Sequence, residues 1–537
     1  MRHALLSLAL LVGCHPADTD VDTDAPVDGD ADTDADADAD ADSDADADSD
    51  ADTDTDPVCD PITAFSIAPG GLLLDVSLHV EVGAAEDVFV ACTSPTEPLE
   101  QHLVESTAPA TSHDLPLRGL LAGTQYDCVA RSTCGGDTLT DSVTTGLPTG
   151  IPVLTATPTA GETMTGAYTL FNEQGGCSSS AEMYVAIVDP DARLRWLYDL
   201  GNDLILDMDV QMIDHDVMHI GGGWGLFDES QSNLGLFLDV DLSGNVVLER
   251  TAPDFGLGFN HHSEALPDGT YLSITGDHDT NGQRTWNGIG VELWAPGQGV
   301  VWSWDSQALA DAGLVDPPNI LEELLLPSPY HANASSILTD PLGDALWLSI
   351  YGYEELWRID RSTGKRTHVF GQGGDFTLVD TAGNPLPDRE YTWVQHGIDY
   401  TPDGRVLAYD NGVGRPGGGY SRVVEYRLDL MNNVATKLWD WTEPGWYNTV
   451  VGDADYLDGG NVLVTQGFSR CTEIFPNDVS EILELRPPDT VVHRITWPNS
   501  NWGVYRSQRY DGCDLFANAR YCDTIAQRWA ELGVDSL

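Results

Sequence analysis

Four histidines stand at comparable places in this chain: His261 and His262, His331, and His396. Each comes just before an alternating apolar run and a tight turn. The clearest case is Gln395-His396-Gly-Ile-Asp-Tyr400, which leads through Pro402-Asp403-Gly404 into Arg405 to Tyr409 and ends in Asp410-Asn411-Gly412. Two alternating runs joined by such a turn read as a β-hairpin, with His396 at the head of its first strand. Asn333 follows His331 by two residues, and Tyr505-Arg506 head a further segment of this kind. Imidazoles gathered from separate hairpins meet the needs of a metal ion. They equally meet those of a nucleophile or base, with the remaining histidines and Arg506 binding an anion. A neutral ring nitrogen suits transfer of a charged group such as sulfuryl or phosphoryl, and cationic neighbours would stabilise the charge that develops. The chain has no Gly-rich phosphate loop, no Gly-x-Ser-x-Gly elbow and no His-Glu-x-x-His pair.

The elements that must position these residues recur. An apolar strand, an acidic or Gly/Asn turn and a second strand begin near Tyr184, Leu236, Gly290, Glu355, Val423 and Ile482. A second hairpin alternates with the first: Asp209 to Ile220, His262 to Thr275, His331 to Ser349, His396 to Tyr409, Asp453 to Thr465 and Tyr505 to Phe516. Two hairpins per period make a four-stranded unit. Six such units make a six-bladed β-propeller over 149–537, seven being the competing count. In a propeller the innermost strand of each blade lines the central channel, so the second set of hairpins would bring the histidines to one mouth. Trp393, Tyr351, Tyr353 and Trp446 lie near that mouth and suit either stacking on a phenyl ring or packing between blades.

At 537 residues the chain exceeds one compact core. Residues 1–14 read as a lipoprotein signal peptide. Arg2 precedes the apolar run Ala4 to Val12, and Leu11-Val-Gly-Cys14 has the form of a lipobox. Cys14 is the expected lipidation site, which implies export and lipid anchoring in a bacterial cell envelope, at its periplasmic face or the cell surface. The formal net charge is −63, and 19 aspartates lie in 18–56, so about −44 remains for the rest. The Asp/Ala alternation over 15–58 has little to bury and repels itself, so a disordered tether is expected there. It lacks the glycines and closing acid of a calcium loop. The acidic balance argues against nucleic acid as a partner. Besides Cys14, cysteines 59, 92, 128, 134, 177, 471, 513 and 522 allow up to four disulfides, with Cys513 and Cys522 close enough to pair locally. Residues 59–148 read as short strands. Leu117-Arg-Gly-Leu-Leu-Ala-Gly-Thr-Gln-Tyr126 resembles the tyrosine corner of fibronectin type III domains, so an Ig-like β-sandwich is expected, with a spacer or docking role.

Several stretches together resemble the bacterial arylsulfate sulfotransferase family. They are Tyr391-Thr-Trp-Val-Gln-His396, then Tyr409-Asp410-Asn411-Gly412 with Arg415, Ser421-Arg422-Val-Val-Glu-Tyr426-Arg-Leu-Asp429, and Leu438-Trp439-Asp440. Tyr330-His331-Ala332-Asn333, His261-His262 before Leu266-Pro267-Asp268-Gly269, and Tyr505-Arg506 fall in matching order. The resemblance implies an all-β fold, a six-bladed propeller preceded by a small β domain. It also implies transfer of a sulfuryl group from an aryl sulfate to a phenol through a sulfohistidine, with no nucleotide sulfate donor, metal or other cofactor. His396 would be the nucleophile. His331 would bind the sulfuryl group or protonate the leaving phenolate, with Asn333 beside it, and His261 or His262 would be the third site histidine. The family's arginine after the middle histidine is replaced here by Leu348-Ser-Ile-Tyr351-Gly352. Tyr351 can donate a hydrogen bond but supplies no fixed charge, leaving Arg506 or Arg470 as candidates for that charge. The reading from another class is a catalytically inactive propeller that binds a ligand or partner at the cell surface.

Overall fold

The computed structural model describes residues 60–175, 183–201, 206–224, 236–250, 259–276, 289–306, 309, 312, 314, 334–341, 343–467, 480–498 and 502–534. The expected signal peptide with Cys14, the Asp/Ala tether, His331 and Asn333 lie outside the described residues, as does Arg470. Residues from Pro57 onward form one compact unit.

Its first part is two facing sheets. One holds Ile62–Pro69, Val76–Glu86 and Ala110–Leu117; the other holds Gln101–Glu105, Val88–Thr93, Gln125–Ser132 and Leu139–Thr144. Alternation sets the faces. In Val76–Glu86, Val76, Leu78, Val80 and Val82 are buried and meet Val88, Val90 and the Cys92–Cys128 disulfide across the core. Tyr126 is buried, and its hydroxyl accepts a 2.9 Å hydrogen bond from the Leu121 amide, the bond expected at the corner.

The remaining strands form six sheets of four or five strands among the described residues, giving a nearly all-β, propeller-like body. The innermost strands are Leu206–Asp214, Phe259–Ala265, Ala334–Thr339, Gln395–Tyr400, Asp453–Tyr456 and Trp502–Tyr510. Each touches the next, and the last returns to the first, so they close a ring. Strands in the middle of each sheet are apolar on both sides because both faces pack on neighbouring sheets; Met183–Val188 and Ala345–Ile350 are buried throughout. Outer strands such as Gly299–Asp305 alternate exposed and half-buried residues instead. Wedges of large side chains fill the gaps between sheets, for example Leu272, Ile274 and Val291 against Ile337, Leu346 and Trp357.

The ring closes in a way the hairpin pattern did not show. Trp502–Tyr510 has no outward partner from its own end of the chain. It pairs with Tyr168–Gly175, and Thr155–Pro158 pairs with Thr490–Thr496, so each end of the repeat region completes a sheet begun at the other. The hairpin expected over Tyr505 to Phe516 is therefore a single strand, followed by helix α1 (Cys513–Phe516) and helix α2 (Asp523–Glu531). Gly512, at φ +80°, turns the chain out of the strand direction, and Cys513 bonds to Cys522 as expected from their spacing. Trp529 and Ile525 of α2, with Leu532 and Val534 beyond it, cover Phe89, Ala91 and Leu103 of the small sandwich. A buried ion network joins sandwich and ring. Arg195 donates to Glu100 at 2.6 Å and to Asp189 at 2.6 Å, and Arg193 reaches both carboxylates. The small domain is thus ion-paired to the ring through Glu100.

Candidate active site

His396 is the second residue of its inner strand and only 4% exposed. Its ring is held from both sides. Asn411 stands at the end of the paired strand. Its Nδ2 donates to the carbonyls of Asn448 (2.9 Å) and Val451 (2.8 Å). Carbonyls only accept, so the amide orientation is fixed and Oδ1 faces the imidazole. His396 Nδ1 lies 2.7 Å from that Oδ1 and must carry the proton. Nε2 is then the lone-pair nitrogen, and it accepts a 3.0 Å bond from the Val451 amide. Burial pushes the His396 pKa down to about 4; the Asn411 hydrogen bond opposes this and the Arg506 charge adds to it. The ring is neutral at physiological pH.

The backbone around the ring is strained. Val394 (φ +57°) and Val451 (φ +58°) are left-handed, as is His261 (φ +50°) at the head of its own inner strand. A left-handed β-branched residue costs on the order of 1–2 kcal/mol, and such strain gathers at functional sites. Asp410 anchors the segments that impose it. It accepts from the amides of Trp393 and Gly412 and from the guanidinium groups of Arg415 (2.6 Å) and Arg422 (2.8 Å). Both arginines are spent on this buried carboxylate, not turned toward the histidine. Ser421 ties the two loops together, donating to the Asn411 and Asn448 carbonyls and accepting from the Asn448 amide.

Tyr351, just past the strand Ala345–Ile350, sets its ring edge-on to His396 at 4.9 Å between centroids, and its hydroxyl donates to the Thr449 carbonyl. The other aromatics are less direct. Trp446 packs on Tyr409 and Trp441 and donates to Glu481, so it serves packing between sheets. Trp393 is buried beside the Asp388 carbonyl, and Tyr353 lies against Trp357.

His262 and Arg506 form a second, ionic centre deeper on the inner strands. His262 Nδ1 accepts from the Ile337 amide (3.1 Å) and from Arg506 Nη1 (3.0 Å), so Nε2 carries the proton and donates to Asp209 Oδ2 at 3.1 Å. Both ring nitrogens are consumed. Burial, and then the Arg506 charge, hold its pKa well below normal. Arg506 also donates to Asp209 (3.2 Å) and to the Ser335 carbonyl (2.8 Å), with Asp453 3.8 Å away. Asp209, Glu264, Asp399, Asp453 and Asp455 share this interior. Burial raises the pKa of each, to about 7 for Asp209 and about 8 for Glu264. Among the described residues no group of histidines, cysteines and carboxylates could hold a metal ion.

Ser335 links the two centres. Its carbonyl receives Arg506 and the Tyr505 hydroxyl, while its own hydroxyl donates to the His396 and Gln395 carbonyls. His261 lies on the same side, stacked on Tyr505 at 6.2 Å. The structure thus gathers His261, His262, Arg506, Tyr351 and His396 around the leading ends of the inner strands. Asn411, Val451, Ser335 and Asp209 are contributors that the histidine pattern alone did not name. Asn411 carried a signal, the Asp-Asn-Gly turn that follows the strand paired with the His396 strand. A third line-up, Asp239–His219–Ser263, has the connectivity of a hydrolytic triad at 2.8 and 2.9 Å, but Ser263 is fully buried and the set pins adjacent sheets.

Residues 154–506 match the profile of the Arylsulfotransferase (ASST) family. An arylsulfate sulfotransferase (AssT) of Lelliottia amnigena is 30% identical over 117 residues, which cover 18% of this chain and 19% of that protein. Overlapping solved structures include the β-propeller domain of Cps50 (Swd1) from Myceliophteria thermophila, at 8% identity over 64% of this chain and 99% of that one, TM-score 0.32. The periplasmic gluconolactonase of Pseudomonas aeruginosa overlaps at 10% identity over 63% of this chain and 99% of that one, TM-score 0.32. Likenesses of that degree carry no argument about fold or activity, whereas the profile spans most of the ring and includes every described site residue named above. The chain belongs to the arylsulfotransferase family.

Proposed function

We propose that this chain moves a sulfuryl group from a phenolic sulfate ester to a phenolic acceptor, with His396 as the carrier and no nucleotide donor. The observation that carries this reading is the His396 imidazole itself: buried, neutral, its Nδ1 proton held by Asn411, its Nε2 lone pair directed to one side. In the first step Nε2 attacks sulfur. The S–O(aryl) bond breaks, and its electron pair leaves on the phenolate oxygen, which takes a proton. In the second step a phenol oxygen attacks sulfur, the N–S bond breaks back to Nε2, and the acceptor proton is lost. Attack requires the Val451 amide to let go of Nε2, at a cost of about 1 kcal/mol. That amide then faces the incoming sulfuryl oxygens as a donor.

The family pattern makes His331 and Asn333 the groups that hold the sulfuryl moiety or protonate the leaving oxygen. His261, stacked on Tyr505, suits the third position better than His262, whose nitrogens are both engaged. Tyr351 occupies the place of the family arginine and offers its ring to an aryl group. Arg506 acts on the site through its field, because its terminal nitrogens already engage Asp209, His262 and Ser335. Incubation with 4-nitrophenyl sulfate and a phenol is the test. Release of nitrophenol that depends on the acceptor and is lost in His396→Ala supports the reading; undiminished release by that variant sinks it.

The same reading takes the six sheets as six blades and residues 59–148 as a fibronectin type III-like sandwich. Supporting it are the ring of inner strands and the Tyr126 corner bond. It places the protein outside the cytoplasm, tethered through lipidated Cys14 and the 15–58 linker. The disulfides Cys92–Cys128 and Cys513–Cys522 favour an oxidising compartment. Incorporation of labelled palmitate into the wild type but not into Cys14→Ser tests the anchor.

A further inference from the structure

A histidine that must carry a group and then give it up has two conflicting needs. Its lone pair must be available for attack, and once sulfated the ring must remain a good leaving group. The second need is met while Nδ1 keeps its proton, because an N-sulfo-imidazolium releases a neutral imidazole when the N–S bond breaks. If Nδ1 loses that proton, the departing nitrogen would leave as an imidazolate, a far poorer leaving group. A carboxylate is the commoner partner for the far nitrogen of a catalytic imidazole, and it is a base. Here the partner is an amide.

We propose that Asn411 is a positioning residue for His396, one that holds the Nδ1 proton without accepting it, so that the sulfated ring stays an imidazolium and passes its sulfuryl group on rapidly. The inference rests on the sulfuryl-transfer reading above and adds the reason for an amide at this place. The geometry is over-determined. Asn411 Nδ2 bonds two carbonyls, and one of them belongs to Val451, whose own amide bonds His396 Nε2. Imidazole, carboxamide and the Val451 main chain form a closed cycle, so the amide cannot turn over and present its NH2 group to Nδ1. The charged and titratable groups packed around the ring are Arg506, Tyr351 and Asp453, the last lying against Gly397. Among the described residues none of these bonds Nδ1, and the Asn411 amide oxygen is the group that meets that proton.

The test separates the two half-reactions. Mixing wild-type protein with excess 4-nitrophenyl sulfate gives a nitrophenol burst, and added phenol then sets the steady rate. In Asn411→Asp the burst is retained while the acceptor step slows by about tenfold or more, so sulfated enzyme accumulates. Ser421→Ala loosens the same two loops without touching Nδ1, and it is expected to leave the ratio of the two steps unchanged. An Asn411→Asp enzyme with the wild-type ratio, or a Ser421→Ala enzyme that mimics the Asp variant, overturns the proposal. A measurement that needs no turnover stands beside these. The 15N spectrum of selectively labelled wild-type protein, assigned by difference from His396→Ala, should show His396 protonated at Nδ1 and unprotonated at Nε2. The opposite tautomer overturns the clamp whether or not the variants fold. Absence of any burst in the wild type, with the expected tautomer present, sinks the sulfuryl-transfer reading and leaves the clamp standing.

Discussion

His396 and His262 sit on inner strands of the same ring, are almost equally buried, and have opposite tautomers. At His396 the hydrogen bonds to the ring are neutral: one from the ring to an amide oxygen and one from a peptide N–H. At His262 the contacts are ionic, an arginine on one nitrogen and an aspartate on the other. The difference is one of availability. Opening the Val451 contact frees the His396 lone pair for a single hydrogen bond. Freeing His262 would strand Arg506 among fewer partners and leave Asp209 short of a donor in a buried place, which costs several times more. On the proposed sulfuryl-transfer reading, equivalent repeat positions support different duties: the His396 imidazole reacts, and that of His262 braces the inner strands.

If that contrast is right, the two centres should fail in different ways. The largest effect is at His396. His396→Ala should lower aryl sulfate turnover by roughly a thousandfold or more while leaving the denaturation midpoint near that of the wild type. Turnover assays and urea titration of the same preparation check both halves. Next is Arg506. Arg506→Met removes the main cation from a buried group of carboxylates, and it should destabilise the protein by about 3–5 kcal/mol. Loss of activity with full stability would instead make Arg506 a substrate contact and erase the contrast.

The pH response is a smaller effect. Asp209 and Glu264 have folded pKa values of about 7 and about 8, raised by burial above the roughly 4 of an unfolded carboxylate. Their contribution to stability is complete below about pH 4 and is lost as pH rises through 7 to 8, because the folded state must then ionise buried acids. Glu264→Gln should flatten that decline, raising the thermal midpoint at pH 9 relative to wild type and changing it little at pH 5. His396 runs the other way. With its pKa lowered to about 4, it penalises folding increasingly as pH drops from about 6.5 toward 4, and its lone pair stays available above that range. Turnover should therefore show no loss assignable to this ring between about pH 5 and 8. The smallest effect is Tyr351→Phe, which removes the 3.3 Å bond to the Thr449 carbonyl and keeps the ring. A change of less than about 1 kcal/mol in either stability or transition-state binding is expected. A large loss in KM would mean that the hydroxyl, not the ring, meets the substrate.

Much of this arrangement could be read from residue order. The segment heads Asp209, His262, His396, Asp453 and Tyr505 all fall on inner strands, because turn chemistry and two-residue alternation are local signals. Their partners were less legible. Asn411 looks like an ordinary turn residue until the fold brings its side chain, just past the Gln395–Asp410 pair, onto His396 Nδ1, and Val451 reaches Nε2 from the segment before the next sheet. The pairing of His262 with Arg506 depends on ring closure between residues 244 positions apart. The hairpin expected over Tyr505 to Phe516 is only half realised: Trp502–Tyr510 is a strand, but the turn at Asp511-Gly512 leads into a helix and not a second strand. The better signal was further on: the apolar residues Ile525, Trp529 and Leu532 recur at helical spacing and meet the sandwich.

The most direct measurement is to trap the carrier. Protein mixed with 4-nitrophenyl sulfate in the absence of acceptor, quenched at alkaline pH and mapped by peptide mass, should carry one sulfuryl group, on His396. That group should disappear on adding phenol and be absent from His396→Ala. Turnover with no modified histidine, or a sulfuryl group found on another residue, would contradict the assignment of His396 as the nucleophile.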